Sequence, residues 1–138
     1  MIRKILGIVA GIAAAFIIIL MVEAIDERLY PVPVDLDTSD AAAMGAYVFA
    51  MPLFAKLLVV FGWLLGAFGG VWLCLRISDR RWTAWIIVAL LIAGGVANMV
   101  QFGHPVWMQA GAVVAPLLGG WLGARLHPKP YPGEPLLG

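Results

Sequence analysis

The feature that most limits the fold of this chain is an unbroken apolar run from Ile5 to Val22, 18 residues without a polar side chain. A helix of roughly 20 such residues crosses the ~30 Å hydrocarbon core of a bilayer. Composition supports a membrane protein, because 63% of the chain is hydrophobic and only 12% is charged, whereas soluble domains average about 25% charged residues. These values exclude a disordered segment, a nucleic-acid-binding module and an ordinary soluble enzyme.

A second apolar block, from Ala41 to Ile77, contains a single charge, Lys56, before Arg76 near its end. As one helix it would be about 55 Å long, which is well beyond the thickness of a bilayer. Pro52 predicts a break, because proline removes a helical hydrogen bond and clashes with the preceding turn. We therefore expect a short interfacial helix at about 39–50, followed by a membrane span. The N-cap of the interfacial helix is expected among Asp37, Thr38 and Ser39.

These patterns predict an all-α fold, an integral membrane four-helix bundle with the interfacial helix in its first outer loop. The four spans are expected at about 5–25, 53–75, 82–102 and 106–126, and the outer loop at 26–52. The last two spans are joined by a three-residue turn, which requires them to run antiparallel. We predict one transmembrane domain over 1–126 and a flexible cytoplasmic tail over 127–138, which is rich in proline and glycine.

The charges in the short loops predict the orientation of the bundle, because Lys and Arg are retained on the cytoplasmic side. Seven bases fall at one end of the spans: Arg3, Lys4, Arg76, Arg80, Arg81, Arg125 and Lys129. The opposite end carries Arg28 and six acids: Glu23, Asp26, Glu27, Asp35, Asp37 and Asp40. We therefore expect a multi-pass protein of the bacterial inner membrane with both termini in the cytoplasm.

An alternative interpretation treats residues 1–24 as a cleaved signal peptide. Two bases precede the apolar run, and the small residues Val22 and Ala24 stand at cleavage-like positions. Three spans would then remain. We favour a retained span, because the run is longer than the usual 7 to about 15 residues and Glu23 would lie in the cleavage motif.

Small residues recur at every fourth position in three of the predicted spans, which is a glycine-zipper pattern. In lipid, small residues let helix backbones approach closely and so contribute to helix association. The expected packing positions are Gly7 and Gly11 in the first span, Gly62, Gly66 and Gly70 in the second, and Gly111, Gly119 and Gly123 in the fourth. We favour packing within one bundle. The alternative is that these residues form a pore-lining or oligomerisation face.

Polar side chains of the spans gather at the predicted outer end of the bundle. Each needs an explanation, because a charge at the bilayer centre costs about 2.5–3.5 kcal/mol. We expect Glu23 to pair with Lys56, and Asp26 and Glu27, three and four residues further along, are the alternative partners. The full set, a hypothetical vestibule for a ligand or an ion, is Glu23, Asp26, Lys56, Asn98, Gln101, His104 and Gln109. In the alternative that we favour, Lys56 snorkels, the amides bond across helices and the acids belong to a solvated loop.

No catalytic, cofactor or metal signature accompanies these residues. The sequence has no phosphate-binding glycine loop, no His-Glu-x-x-His motif and no nucleophile elbow. One cysteine and two histidines make neither a disulfide framework nor a Cys/His metal cluster. Cys74 lies near Arg76 and could be a nucleophile, but a buried structural cysteine or a palmitoylation site is commoner. We predict no catalytic residue, no metal site and no cofactor.

Three parts of the chain carry polar or turn-forming residues between generic apolar sequence. They are Tyr30–Asp35 with Asp37–Asp40, Gly94–Met99, and His104–Trp107 with Gly119–Gly123. In these parts the chain resembles a family of small four-span bacterial membrane proteins that has no established function. The resemblance covers nearly the whole chain and implies a four-helix bundle in a bacterial inner membrane, without an activity.

The leading functional hypothesis is a non-catalytic protein that acts by helix packing, as an accessory or scaffolding subunit of a membrane complex or as a homo-oligomer. Its partners are then the lipid bilayer and a membrane protein or a second copy, with no nucleic acid. The alternative is a small transporter or channel with a polar vestibule at its periplasmic end. A membrane enzyme is the third class.

Overall fold

The computed structural model describes residues 1–127, and all regular secondary structure among them is helical. The helices are α1 (Ile2–Leu29), α2 (Ala41–Ala50), α3 (Leu53–Ser78), α4 (Arg81–Phe102) and α5 (Val106–Arg125). Four of them, α1, α3, α4 and α5, are long and apolar enough to cross a membrane. The predictions of an all-helical fold and of four apolar spans are confirmed, and the chain has the character of a multi-pass membrane protein.

α1 is longer than the span predicted at 5–25. Its 28 residues make a helix about 42 Å long, which exceeds the ~30 Å hydrocarbon core. The helix therefore extends beyond one boundary and carries Glu23 and Asp26 in its last turns. Of the tail predicted to be flexible, only His127 is among the described residues, and it is buried.

The start of α2 is fixed by Asp40, whose carboxylate accepts a hydrogen bond from the Ala42 N–H at 2.9 Å. The predicted cap, one of the three residues before it, is wrong. Asp37 instead accepts hydrogen bonds from the hydroxyl and N–H of Ser39 at 2.6 and 2.9 Å, and these bonds hold the pKa of Asp37 below its usual value. Pro52 separates α2 from α3, as the missing N–H of proline requires.

α3 lies between α1 and α5, and its glycines bring the backbones together. A side-chain carbon added at Gly70 would lie 2.6 Å from the Gly11 carbonyl oxygen and 2.8 Å from Ala15 Cβ on α1. On the α5 side, a carbon added at Gly123 would lie 2.6 Å from the Phe68 carbonyl oxygen. All eight glycines expected to pack face a neighbouring helix: Gly7, Gly11, Gly62, Gly66, Gly70, Gly111, Gly119 and Gly123.

The turn between α3 and α4 is held by a buried hydroxyl cluster. Thr83 Oγ1 donates to the Arg80 carbonyl at 2.6 Å and shares a 2.7 Å hydrogen bond with Ser78 Oγ. Cys74 Sγ lies 3.4 Å from the same Thr83 oxygen. Cys74 is fully buried in this cluster, which is an environment typical of a structural cysteine.

Two ends of the bundle are named by their contents. The α2 end contains α2 and the turn between α4 and α5. The basic end contains the turn between α3 and α4, where Arg3 forms an ion pair with Asp79 at 3.0 Å. Because Gly7 on α1 packs against Ser78 of α3, the start of α1 also lies at the basic end.

Candidate functional site

A cleft lies between α1 and α4, with α3 as its floor. Its volume is about 230 Å³. We call it the α1–α4 cleft, and it is lined by Phe16, Ile19 and Glu23 of α1, Val59 and Trp63 of α3, and Leu90, Leu91, Gly94, Gly95 and Asn98 of α4. Two residues of the predicted vestibule, Glu23 and Asn98, are therefore brought together.

The cleft exists because α1 and α4 touch near the basic end and separate towards the α2 end. Gly11 of α1 is in close contact with Ile87 of α4, so the two helices meet there. Two turns further along α4, a side-chain carbon added at Gly94 would have no neighbour within 4 Å. Gly95 faces the other way, towards Ala112 of α5. Gly94 thus leaves the cleft open on the side away from the bundle core.

The two polar groups of the cleft are unusual for a span. Within residues 1–127, neither the Glu23 carboxylate nor the Asn98 amide has a hydrogen-bond partner, and both side chains are exposed. Glu23 lies about 32 Å along α1 from its start, so it is close to the boundary of a ~30 Å hydrocarbon core. Polar groups without partners are costly at that depth. The pair can offer a hydrogen-bond donor and several acceptors to whatever enters the cleft.

Lys56 lies outside the cleft and does not form the predicted ion pair with Glu23. Its Nζ donates to the Phe49 carbonyl at 2.8 Å and stands 5.7 Å from the centre of the Phe49 ring. The last carbonyls of a helix have no intrahelical partner, and the negative end of the helix dipole favours a cation. Lys56 is therefore held at the C-terminus of α2.

His104 and Gln109 form a separate contact at the turn between α4 and α5. Gln109 Nε2 donates to the His104 carbonyl at 2.8 Å, which closes the turn. The His104 ring is buried, and its Nδ1 has no hydrogen-bond partner within residues 1–127. Burial disfavours the imidazolium and lowers the pKa of His104. Gln101 is exposed one turn before this site.

Asp26 faces α2 and is buried, with 7% of its surface exposed. Its Oδ1 has no hydrogen-bond partner in the described part of the chain. The pKa of Tyr47 on α2 is raised, first because the hydroxyl is partly buried and then because the negative charges of Asp26 and Glu27 disfavour the phenolate. The Tyr47 hydroxyl lies 3.4 Å from the Tyr30 carbonyl, to which it donates. The seven predicted vestibule residues are thus divided among several locations.

Sequence reasoning missed the small and aromatic residues of the cleft, Phe16, Trp63 and Gly94. A signal was present on α4, where Ala89, Ala93 and Ala97 recur at every fourth residue. All three alanines are exposed. Their spacing matches the small-residue stripes of the other spans, but no neighbour among residues 1–127 covers the stripe on α4.

Within residues 1–127, no group of three or more His, Cys, Asp or Glu side chains is placed to hold a metal ion. No protein-family model, curated protein or solved structure matches this chain. The resemblance to small four-span bacterial membrane proteins therefore stays a prediction.

Proposed function

We propose that this protein is an accessory or scaffolding subunit of a membrane complex, or a homo-oligomer, and that its α1–α4 cleft binds one transmembrane helix of the partner. The observation that carries the proposal is that Glu23 and Asn98 both line a cleft that is open on the lipid-facing side of the bundle.

The shape of the cleft supports a helix as its occupant. Association of helices in lipid depends on close approach through small residues, since the surrounding lipid tails are as apolar as the side chains. Gly94 leaves open space at the cleft, and the exposed Ala89, Ala93 and Ala97 extend a small-residue surface along α4. A partner helix could therefore approach the α4 backbone closely.

The chemistry of the cleft supports the same occupant. Glu23 and Asn98 lack partners within residues 1–127, and a polar side chain on an incoming helix would supply them. Interhelical hydrogen bonds of this kind contribute roughly 0.6–2 kcal/mol in membranes. They also fix which residue of the partner lies at this depth. Packing would then supply most of the affinity, and the hydrogen bonds would set the position of the partner helix along its axis.

We infer that the protein lies in a bacterial inner membrane with both termini in the cytoplasm and α2 at the opposite interface. The basic end holds Arg3, Lys4 and the bases of the turn between α3 and α4, and bases are retained on the cytoplasmic side. The cleft is then nearest to the periplasmic face.

The mass of the complex in mild detergent tests this function. Gly94→Leu fills the cleft, whereas Ala110→Leu adds similar bulk at an exposed position of α5 outside it. We expect the wild type and Ala110→Leu to purify as a complex larger than one chain, and Gly94→Leu to purify as a monomer. A monomeric wild type, or an equal effect of the two variants, would contradict the proposal.

A small transporter is the second candidate, since Glu23 and Asn98 together could hold a polar solute. Ligand-induced changes in the melting temperature of the wild type and of Glu23→Gln, measured over a panel of polar solutes, test it. A solute that stabilises the wild type but not the variant favours transport. No response in either protein removes this candidate.

A further inference from the structure

A second groove lies at the basic end, between the start of α4 and the end of α5. Its volume is about 510 Å³, within the roughly 300–1,000 Å³ of small-molecule sites. The buried Val88 and Gly120 form its floor, and the half-exposed Trp85 and Trp121 form its sides. Arg81, the first residue of α4, and Arg125, the last residue of α5, stand at its mouth. We call it the arginine groove.

The mouth of the groove is built to attract an anion. The Arg125 guanidinium lies over the Trp121 ring at 5.0 Å, an arrangement that uses the face of the cation and leaves its N–H donors in the plane. Arg125 has no hydrogen bond or ion pair within residues 1–127. The N-terminus of α4, beside Arg81, has no side-chain cap, so its backbone N–H groups and the helix dipole add to the positive potential.

The surroundings keep this potential positive. The described part of the basic end contains six bases, which are Arg3, Lys4, Arg76, Arg80, Arg81 and Arg125. The one carboxylate there, among residues 1–127, is Asp79, which is engaged by Arg3 at 3.0 Å. No described acid therefore competes with a ligand for Arg125.

The walls of the groove point to a lipid as the source of the anion. Below the mouth, the surface of α5 continues with Leu117 and Leu118, which are exposed and apolar. Tryptophans at this level favour the region between head groups and acyl chains. A soluble phosphate would contact the arginines alone, whereas a phospholipid would also cover the tryptophans and the apolar surface beyond them.

We propose that the arginine groove binds the phosphodiester of an anionic glycerophospholipid. The two arginines contact the phosphate, Trp85 and Trp121 flank the glycerol region, and the acyl chains lie along α4 and α5. This site is separate from the α1–α4 cleft, which lies towards the other end of the bundle.

Native mass spectrometry of the full chain in detergent tests the proposal, with phosphatidylglycerol as the probe and phosphatidylcholine as the uncharged comparison. The groove variant is Arg81→Gln with Arg125→Gln. Its matched control, Arg76→Gln with Arg80→Gln, removes the same charge from the same end of the bundle but outside the groove. We expect phosphatidylglycerol to bind the groove variant about 30-fold more weakly than the wild type, and the control within about threefold of it.

Three results would overturn the proposal. Equal losses in the groove variant and the control would show a diffuse surface charge rather than a site. Equal binding of phosphatidylcholine and phosphatidylglycerol to the wild type would show that the anion is not recognised. Displacement of the lipid by glycerol 3-phosphate at comparable concentration would show a site for soluble phosphates.

Arg125→Gln alone, which leaves Arg81 and its contacts in place, is expected to retain the fold and weaken binding by about fivefold.

Discussion

The close approach of α1 and α3 predicts opposite outcomes for one substitution made at two glycines. Gly70 lies between the backbones of these helices, where an added carbon would be 2.6 Å from the Gly11 carbonyl oxygen and 2.8 Å from Ala15 Cβ. Gly94 lies in the middle of α4 and would give an added carbon no neighbour within 4 Å. Replacing each by alanine adds the same atoms to the same kind of backbone.

The expected magnitudes follow from two effects. Alanine in place of glycine favours a helix by about 1 kcal/mol at either position. At Gly70 the new carbon must move to an ordinary contact distance of about 3.5–4 Å, so the helices separate by nearly 1 Å and lose part of their packing energy. Overpacking of this kind costs about 1–3 kcal/mol. We expect Gly94→Ala to have a higher free energy of unfolding than the wild type. We expect the free energy of unfolding of Gly70→Ala to be lower than that of Gly94→Ala by about 1–3 kcal/mol.

Reversible unfolding of the helices in mixed detergent micelles, followed by circular dichroism at low protein concentration, measures both values. High dilution keeps copies apart, so the Gly94 variant reports the stability of the single chain. If Gly70→Ala were as stable as Gly94→Ala, the α1 and α3 backbones would not be in contact and the packing described above would be refuted.

Two further predictions concern the ends of the bundle. Thr83→Val removes the hydroxyl that links Arg80 and Ser78, and should lower the free energy of unfolding by about 1–3 kcal/mol. The control Thr38→Val, in the exposed loop, should change the free energy of unfolding by less than about 0.5 kcal/mol. Equal effects of the two variants in unfolding titrations would argue against a buried hydroxyl cluster. Burial lowers the pKa of His104, so as the pH falls below about 6.5 the unfolded chain takes up the proton first. Stability should therefore decline from that pH until the lower, folded-state pKa is reached, and His104→Asn should flatten the decline in melting temperature; an unchanged profile would contradict the burial of this ring.

The fold was predictable from the sequence because the signals that define it are local. An uncharged apolar run, a proline and a three-residue turn each act within a few residues, and together they specify five helices. The start of α2 was harder, because Asp37 and Asp40 are both suitable caps and the turn around Ser39 decides between them. Sequence alone does not contain that geometry.

The candidate site was predictable only in part, because it depends on which helices touch. Glu23 and Asn98 belong to helices that share few contacts, and they meet only because α1 and α4 both pack on α3. Lys56 was assigned to Glu23 by charge, but a carbonyl at the C-terminus of α2 lies within its reach. Charge complementarity suggests which ion pairs are possible, but the positions of the helices determine which groups a side chain can reach.

Photo-crosslinking in the native membrane tests the central claim, which is that the α1–α4 cleft binds a partner helix. Leu90 lines the cleft and Leu118 lies on α5, and both are 48% exposed, so a benzophenone amino acid at each position samples equally accessible sites. We predict an adduct of one defined protein mass from position 90 and lipid adducts alone from position 118. Lipid adducts alone from both positions, or the same protein adduct from both, would contradict the account.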